Sequence, residues 1–208
     1  MSTPRLLRDQ RGNVLAIFLI LIPMLIALII ASIEIADTVT VADVDVQDSL
    51  ASACKAAAGQ ICDASQANAT PRINSANALA AFEGSLEYNL RLDSTMIPLP
   101  NTHYLDPPRF WLLIYNGYSD YTYAGADLAD YYYFDGTNFK SESISASGLP
   151  ATFYAAGTGI NTSSGDYQVN LTSPGVVAVL AIQKKNVLGD VPVIATRWAA
   201  ARIVWNNS

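Results

Sequence analysis

Residues 14–31 read VLAIFLILIPMLIALIIA, and the reading of this stretch decides the architecture. None of its eighteen residues is charged or polar, and Pro23 is the one interruption. A run of that length is a transmembrane helix candidate. As a helix it rises about 27 Å, close to a ~30 Å hydrocarbon core. Arg5, Arg8 and Arg11 precede it, with Asp9 as the only acid, while nine basic and sixteen acidic residues follow Ala36. That Lys/Arg bias predicts a cytoplasmic N-terminus and an extracytoplasmic remainder. A cleaved signal peptide is the competing reading. The run exceeds the usual apolar core of about 7–15 residues. No small-x-small site follows it, because Ala31-Ser32-Ile33 meets Glu34 at once. The expectation is an uncleaved, single-span membrane anchor over 13–36, behind a basic tail at 1–12.

The helical pattern continues past the apolar run. No Gly occurs between Asn13 and Ala58, and no Pro between Met24 and Thr70. Ile35, Val39, Ala42, Val46, Leu50, Ala53 and Ala57 recur at steps of three and four, a narrow helical seam. Val39, Val41, Val44 and Val46 partly alternate as a strand would, but the stripe holds over the longer stretch and predicts helix. The expected extracytoplasmic continuation is 37–58, ended by Gly59. Its exposed face carries Asp37, Asp43, Asp45 and Asp48. The seam has two readings: packing against copies of this chain or related subunits, or packing onto the chain's own globular domain.

The N-terminal residues also suggest a family. Arg11-Gly12-Asn13-Val14, then Ala16-Ile17-Phe18, then Pro23 eleven residues after Gly12, resembles the start of TadE/TadG-type proteins of the bacterial tight-adherence (Flp) pilus system. Gln47-Asp48-Ser49-Leu50-Ala51-Ser52-Ala53, running into Lys55-Ala56-Ala57-Ala58, is similar to the Ala-rich continuation of that helix. The resemblance covers roughly residues 8–58. It implies a pilin-like fold at the N-terminus, a place in the bacterial inner membrane, and partners among pilus or secretion subunits. For the pseudopilin-like members it also implies cleavage between Gly12 and Asn13, with a Glu five residues beyond the Gly. That place holds Ile17 here, which cannot pair with a new N-terminal amine. The uncleaved, TadG-like form is therefore expected.

Composition separates this segment from the rest. The chain is 51% hydrophobic and 14% charged, yet nineteen of its twenty aromatic residues lie at or after Phe82. Residues 59–208 are expected to form an extracytoplasmic α+β head. A second helix at about 74–91 follows from Leu79, Phe82, Leu86 and Leu90, with Asn74 or Ser75 as cap. Phe110–Tyr115, Asn116-Gly117 and Tyr118–Tyr123 read as a tight hairpin, as do Tyr131–Phe134, Asp135-Gly136 and Thr137–Lys140. Tyr167–Leu171, Val176–Gln183 and Val191–Trp205 are further strands, and 141–165 reads as loop. Adjacent strands without intervening helices predict an antiparallel sheet. Cys54 and Cys62 could bridge outside the cytoplasm. In an unbroken helix they would stand ~12 Å apart, beyond the ~7 Å Cα limit of a disulfide, so a bridge requires the chain to turn near Gly59. The competing reading is two buried thiols.

Motifs for chemistry are incomplete. Ser52-Ala53-Cys54-Lys55 fits Ser-x-x-Lys but lacks its companion elements. Gly117-Tyr118-Ser119 lacks the closing Gly of a nucleophile elbow, and Gly157-Thr158-Gly159 lacks the third Gly of a dinucleotide fingerprint. His103 is the only imidazole, too few for a Cys/His zinc site with two Cys. Asp43-x-Asp45 has Asp48 where a calcium loop needs Gly. Asp120, Asp127, Asp130 and Asp135 fit a solvated acidic face better than a Ca²⁺ site. Asn68, Asn161 and Asn170 match the glycosylation pattern and carry no weight in a bacterial chain. A net charge of −6 excludes the basic footprint of a nucleic-acid binder. No catalytic residues, metal, cofactor or small-molecule substrate is expected. Eight of eleven tyrosines fall between Tyr104 and Tyr133. Tyr115, Tyr118, Tyr121, Tyr123, Tyr131 and Tyr133 form a candidate contact surface, against the alternative that they pack the sheet. The expected function is that of a non-catalytic structural component of a tight-adherence pilus or related surface secretion assembly. The alternative is a membrane-tethered binding or adhesion module without an assembly role.

Overall fold

The structure is a computed structural model that describes residues 10–118, 123, 125–185 and 192–203, and within the first helix the side chains of 17–33 and from 45 onward. Helix α1 is Gln10–Ala58. The chain divides into two compact units, Met1–Ala42 and Asp43–Ser208, so the boundary falls inside α1. From Asp43 on, the helix belongs to the larger unit.

Among the described residues no helix is long and apolar enough to cross a membrane. The transmembrane helix expected over 13–36 is corrected by that finding. The pilin-like anchor, the single-span membrane contact and the placement in a bacterial inner membrane with an extracytoplasmic head go with it. The apolar side chains described in this part of α1 run from Ile17 to Ile33. Pro23 lies inside that stretch.

The larger unit is α+β with antiparallel pairing throughout. Short α2 (Asp63–Ala67) and α3 (Ser75–Leu90) precede eight strands. These are β1 (Arg109–Tyr115), β2 (Ala129–Phe134), β3 (Phe139–Glu142), β4 (Ala151–Ala156), β5 (Gly159–Asn161), β6 (Tyr167–Leu171), β7 (Gly175–Lys184) and β8 (Val193–Arg202). Five form one sheet in the order β3-β2-β1-β7-β8, and three form a second in the order β5-β4-β6. Central β1 and β7 are buried almost throughout, as the continuous apolar run of β7 dictates.

Strand alternation divides the core in two. Phe110, Leu112 and Ile114 of β1, with Val176, Ala178 and Leu180 of β7, face the helices. Trp111, Leu113 and Tyr115, with Val177 and Val179, face the second sheet, which supplies Phe153, Ala155, Val169 and Leu171. The unit therefore has three layers: helices, large sheet, small sheet.

Local chemistry explains the ends of the elements. The Asn74 side chain accepts from the Asn77 N–H and caps α3. The hairpin expected across Asn116-Gly117 does not form, because β1 pairs with β2 at Tyr115↔Ala129 and not with residues next in sequence. Gly117 adopts φ +79°, and a Cβ there would run into the Leu149 side chain. The β2–β3 hairpin does form, with Phe134 opposite Phe139. Its turn is closed by Asp135, whose carboxylate accepts from the N–H groups of Thr137 and Asn138.

Candidate functional site

The residues singled out in sequence fall into four places. The first is the apolar part of α1. Every described side chain from Ile17 to Ile33 is exposed, with Leu19 and Ile20 at 72% and 71%. Gly12 and Asn13 lie in α1 where side chains are not described, as do Ile35, Val39 and Ala42 of the seam.

The second place is the rest of the seam. Val46, Leu50, Ala53 and Ala57 are fully buried and join one core with Phe82, Leu86 and the helix-facing residues of the large sheet. Of the two readings of the seam, packing onto the chain's own domain holds for these four. An apolar stripe at steps of three and four serves a sheet as well as another helix, so the spacing alone could not decide.

The third place is the pair of cysteines. No disulfide joins Cys54 and Cys62. Cys54 sits inside the core, where its thiol reaches the Ala199 carbonyl at 3.7 Å and burial drives its pKa far up. The chain does turn after Ala58. The Cys62 N–H then donates to the Arg72 carbonyl, and its pKa is raised chiefly by burial. The helix fixes one sulfur against β8 and the turn holds the other elsewhere.

The fourth place is the tyrosines. Tyr115 is fully buried, and its hydroxyl donates to the Gly148 carbonyl at 2.7 Å. Tyr131 is buried, and its oxygen accepts from the Ile160 N–H at 2.8 Å. These two are core residues that tie the sheets together, and the contact-surface reading does not extend to them. Tyr133 is half-buried and stacks on Trp111 at 4.9 Å. Tyr118 is exposed on one side and covered on the other by the Arg72 guanidinium, 3.9 Å from the ring centre. Tyr123 shares a 2.8 Å hydrogen bond with Thr70. Tyr121 and Asp120 lie outside the described residues.

Two features of this region escaped the sequence reading. Asn116 is 1% exposed and works as a buried knot. Its oxygen accepts from the Ile73 N–H at 2.7 Å, and its amide donates to the carbonyls of Ile73 and Asp127. Asn-Gly signals a turn, and nothing local tells that the amide points inward. The other is Asp130, beneath the first turn of α3. Its Oδ2 and the Oγ of Ser75, a residue only 4% exposed, are buried without hydrogen-bond geometry. Burial raises the Asp130 pKa most, Ser75 nearby lowers it, and the charge of Asp127 raises it again. Asp135, by contrast, is held low by the backbone N–H of Asn138 and by Lys140, its ion-pair partner at 3.1 Å. Among the described residues no group of three or more His, Cys, Asp or Glu side chains could hold a metal.

The geometry thus offers an exposed apolar helix in one unit and, in the other, a packed core with two buried polar atoms, Asp130 Oδ2 and Ser75 Oγ, left unpaired. The chain matches no protein-family model, no curated protein and no solved structure.

Proposed function

We propose that this protein is a structural, non-catalytic subunit of a larger assembly, and that α1 is the element by which it joins. One observation carries the reading: the side chains from Ile17 to Ile33 are exposed around the whole circumference of the helix. A helix apolar on every side is stable only when other apolar surface covers it. Covering one Leu or Ile side chain stabilises by about 1.5–3 kcal/mol, and this run holds eleven of them. The proposed cover is a set of apolar helices from other subunits or other copies of this chain. The resemblance of residues 8–58 to TadE/TadG-type proteins supports the tight-adherence pilus, or a related secretion assembly, as the setting. The buried half of the seam takes no part, since Val46, Leu50, Ala53 and Ala57 are spent on the chain's own core.

Single-cysteine variants test this in cells that make the protein. Ile20→Cys, Leu25→Cys and Leu28→Cys sample different sides of α1, each in a Cys54→Ala, Cys62→Ser background so that the new thiol is the only one. Crosslinked products at one or more of the three positions are expected under mild oxidation. Val46→Cys should give none. If none of the three forms a product and the extracted chain sediments as a monomer, the assembly reading fails.

A further inference from the structure

The larger unit carries an open cleft of about 520 Å³ between α1, the C-terminal end of α3 and the loop at 101–104. Its position follows from sequence. Asp45, Asp48, Ser49 and Ser52 are spaced 3, 4 and 7 residues apart and so share one helix face. Ser49 is buried at the floor beside Leu90 and Thr102. Asp45, Asp48 and Ser52 stand exposed on one wall, and Arg91, Asn101 and His103 on the other.

The opposite wall is held in shape before any ligand arrives. Arg91 ends α3 at φ 54° and Asn101 sits at φ 69°, both in the left-handed region that non-glycine residues enter at a cost. Asp93 pins the intervening loop by accepting from the backbone of Thr95 and Ile97, and the Leu99 N–H donates to the Arg91 carbonyl. Lys185 N–H to the His103 carbonyl and Leu105 N–H to the Gln183 carbonyl fasten the far end to β7. A preformed cleft loses little entropy on binding.

The wall chemistry narrows the ligand. No ion pair joins Arg91 to Asp45 or Asp48 among the described residues. The cleft therefore presents acceptors and donors that do not satisfy each other. A simple anion meets two carboxylates, a simple cation meets Arg91, and an apolar molecule would strip water from both. A polyhydroxylated ligand avoids all three penalties, because each hydroxyl both donates and accepts. The half-buried ring of Tyr104 adds an apolar face for the C–H side of a sugar. The volume lies within the range of small-ligand sites, about 300–1,000 Å³. We propose that this cleft binds a short oligosaccharide, with Asp45 and Asp48 accepting from its hydroxyls, Arg91 and Asn101 donating to them, and Tyr104 packing against one ring.

The site is independent of α1's assembly role, so either can fail alone. Saturation-transfer NMR on the full-length chain, with maltotriose, cellotriose, chitotriose and trilysine at millimolar concentration, tests it. At least one sugar should receive transfer and trilysine none. Asp48→Ala and Arg91→Ala alter exposed side chains and should each weaken that sugar by about tenfold, the effect of losing one charge-assisted hydrogen bond. Ser52→Trp should fill the cleft and abolish transfer, and unchanged melting temperatures show that the variants fold. The proposal is overturned by no transfer to any sugar, by transfer only to trilysine, or by sugar binding that survives Ser52→Trp.

Discussion

At the scale of single residues, the head depends on a few buried polar groups that have no substitutes. Asn116 satisfies both the N–H and the carbonyl of Ile73 and one further carbonyl. Asn116→Ala strands these backbone groups inside the core, and each buried unsatisfied group costs about 1–3 kcal/mol. The variant should lose about 2–4 kcal/mol in urea unfolding followed by Trp fluorescence. A loss within ~0.5 kcal/mol, typical of a surface change, would show that water replaces the amide. Asp130 predicts a pH effect of opposite sense to an ordinary paired carboxylate. Its folded pKa lies above its unfolded value, so the fold binds that proton more tightly. The resulting stabilisation is complete below the unfolded value, near 3.9, and is lost as pH rises through the folded one. Asp130→Asn cannot titrate. Its stability relative to the parent should therefore improve steadily as pH climbs from the acid range to neutrality. A difference that does not move with pH in paired thermal melts would refute the assignment. Neither residue was legible in sequence, because inward orientation at the end of a strand is a tertiary fact.

At the scale of elements, legibility follows how much of each pattern is local. The second helix, 74–91 in the reading and Ser75–Leu90 in the structure, was carried by four apolar residues and a cap. Strand β6 matches its expected range, and β7 and β8 lie where apolar runs placed them. Strands β4 and β5 were missed because Gly and Ser dominate 141–165, while alternate burial of Phe153 and Ala155 arises only against the large sheet. The Asn116-Gly117 turn misled because β1 takes as partner β2, which begins at Ala129, beyond thirteen intervening residues. Val46, Leu50, Ala53 and Ala57 of the seam share one buried stripe, but its partner was undecidable without the sheet. Leu50→Ala should now cost about 2–5 kcal/mol, as a core truncation does. Ile20→Ala should leave the unfolding of the head unchanged within about 0.5 kcal/mol. Equal effects at the two positions in the same urea titration would refute the division of labour along α1.

At the scale of the whole molecule, the three-layer unit buries most of its apolar residues in two cores, whereas every described side chain of α1 from Ile17 to Ile33 is exposed. The sheet's two edges are treated differently. At β3 the row Phe82, Phe110, Phe134 and Phe139, with neighbouring ring centres 4.8–5.5 Å apart, ends on a half-open Phe139 beside Lys140 and Glu142. Charges on an edge discourage another strand from adding there. At β8 the guard is α1 itself: Gln47 Nε2 donates to the Trp198 carbonyl at 3.1 Å, and the Cys54 thiol reaches Ala199 next to it. The helix that builds the core thus also touches the backbone of this ten-residue border strand. Docking of that helix therefore also decides how open the β8 margin is: a chain in which residues 45–58 have not settled would leave this Ala-rich border strand free to pair with a strand of another chain.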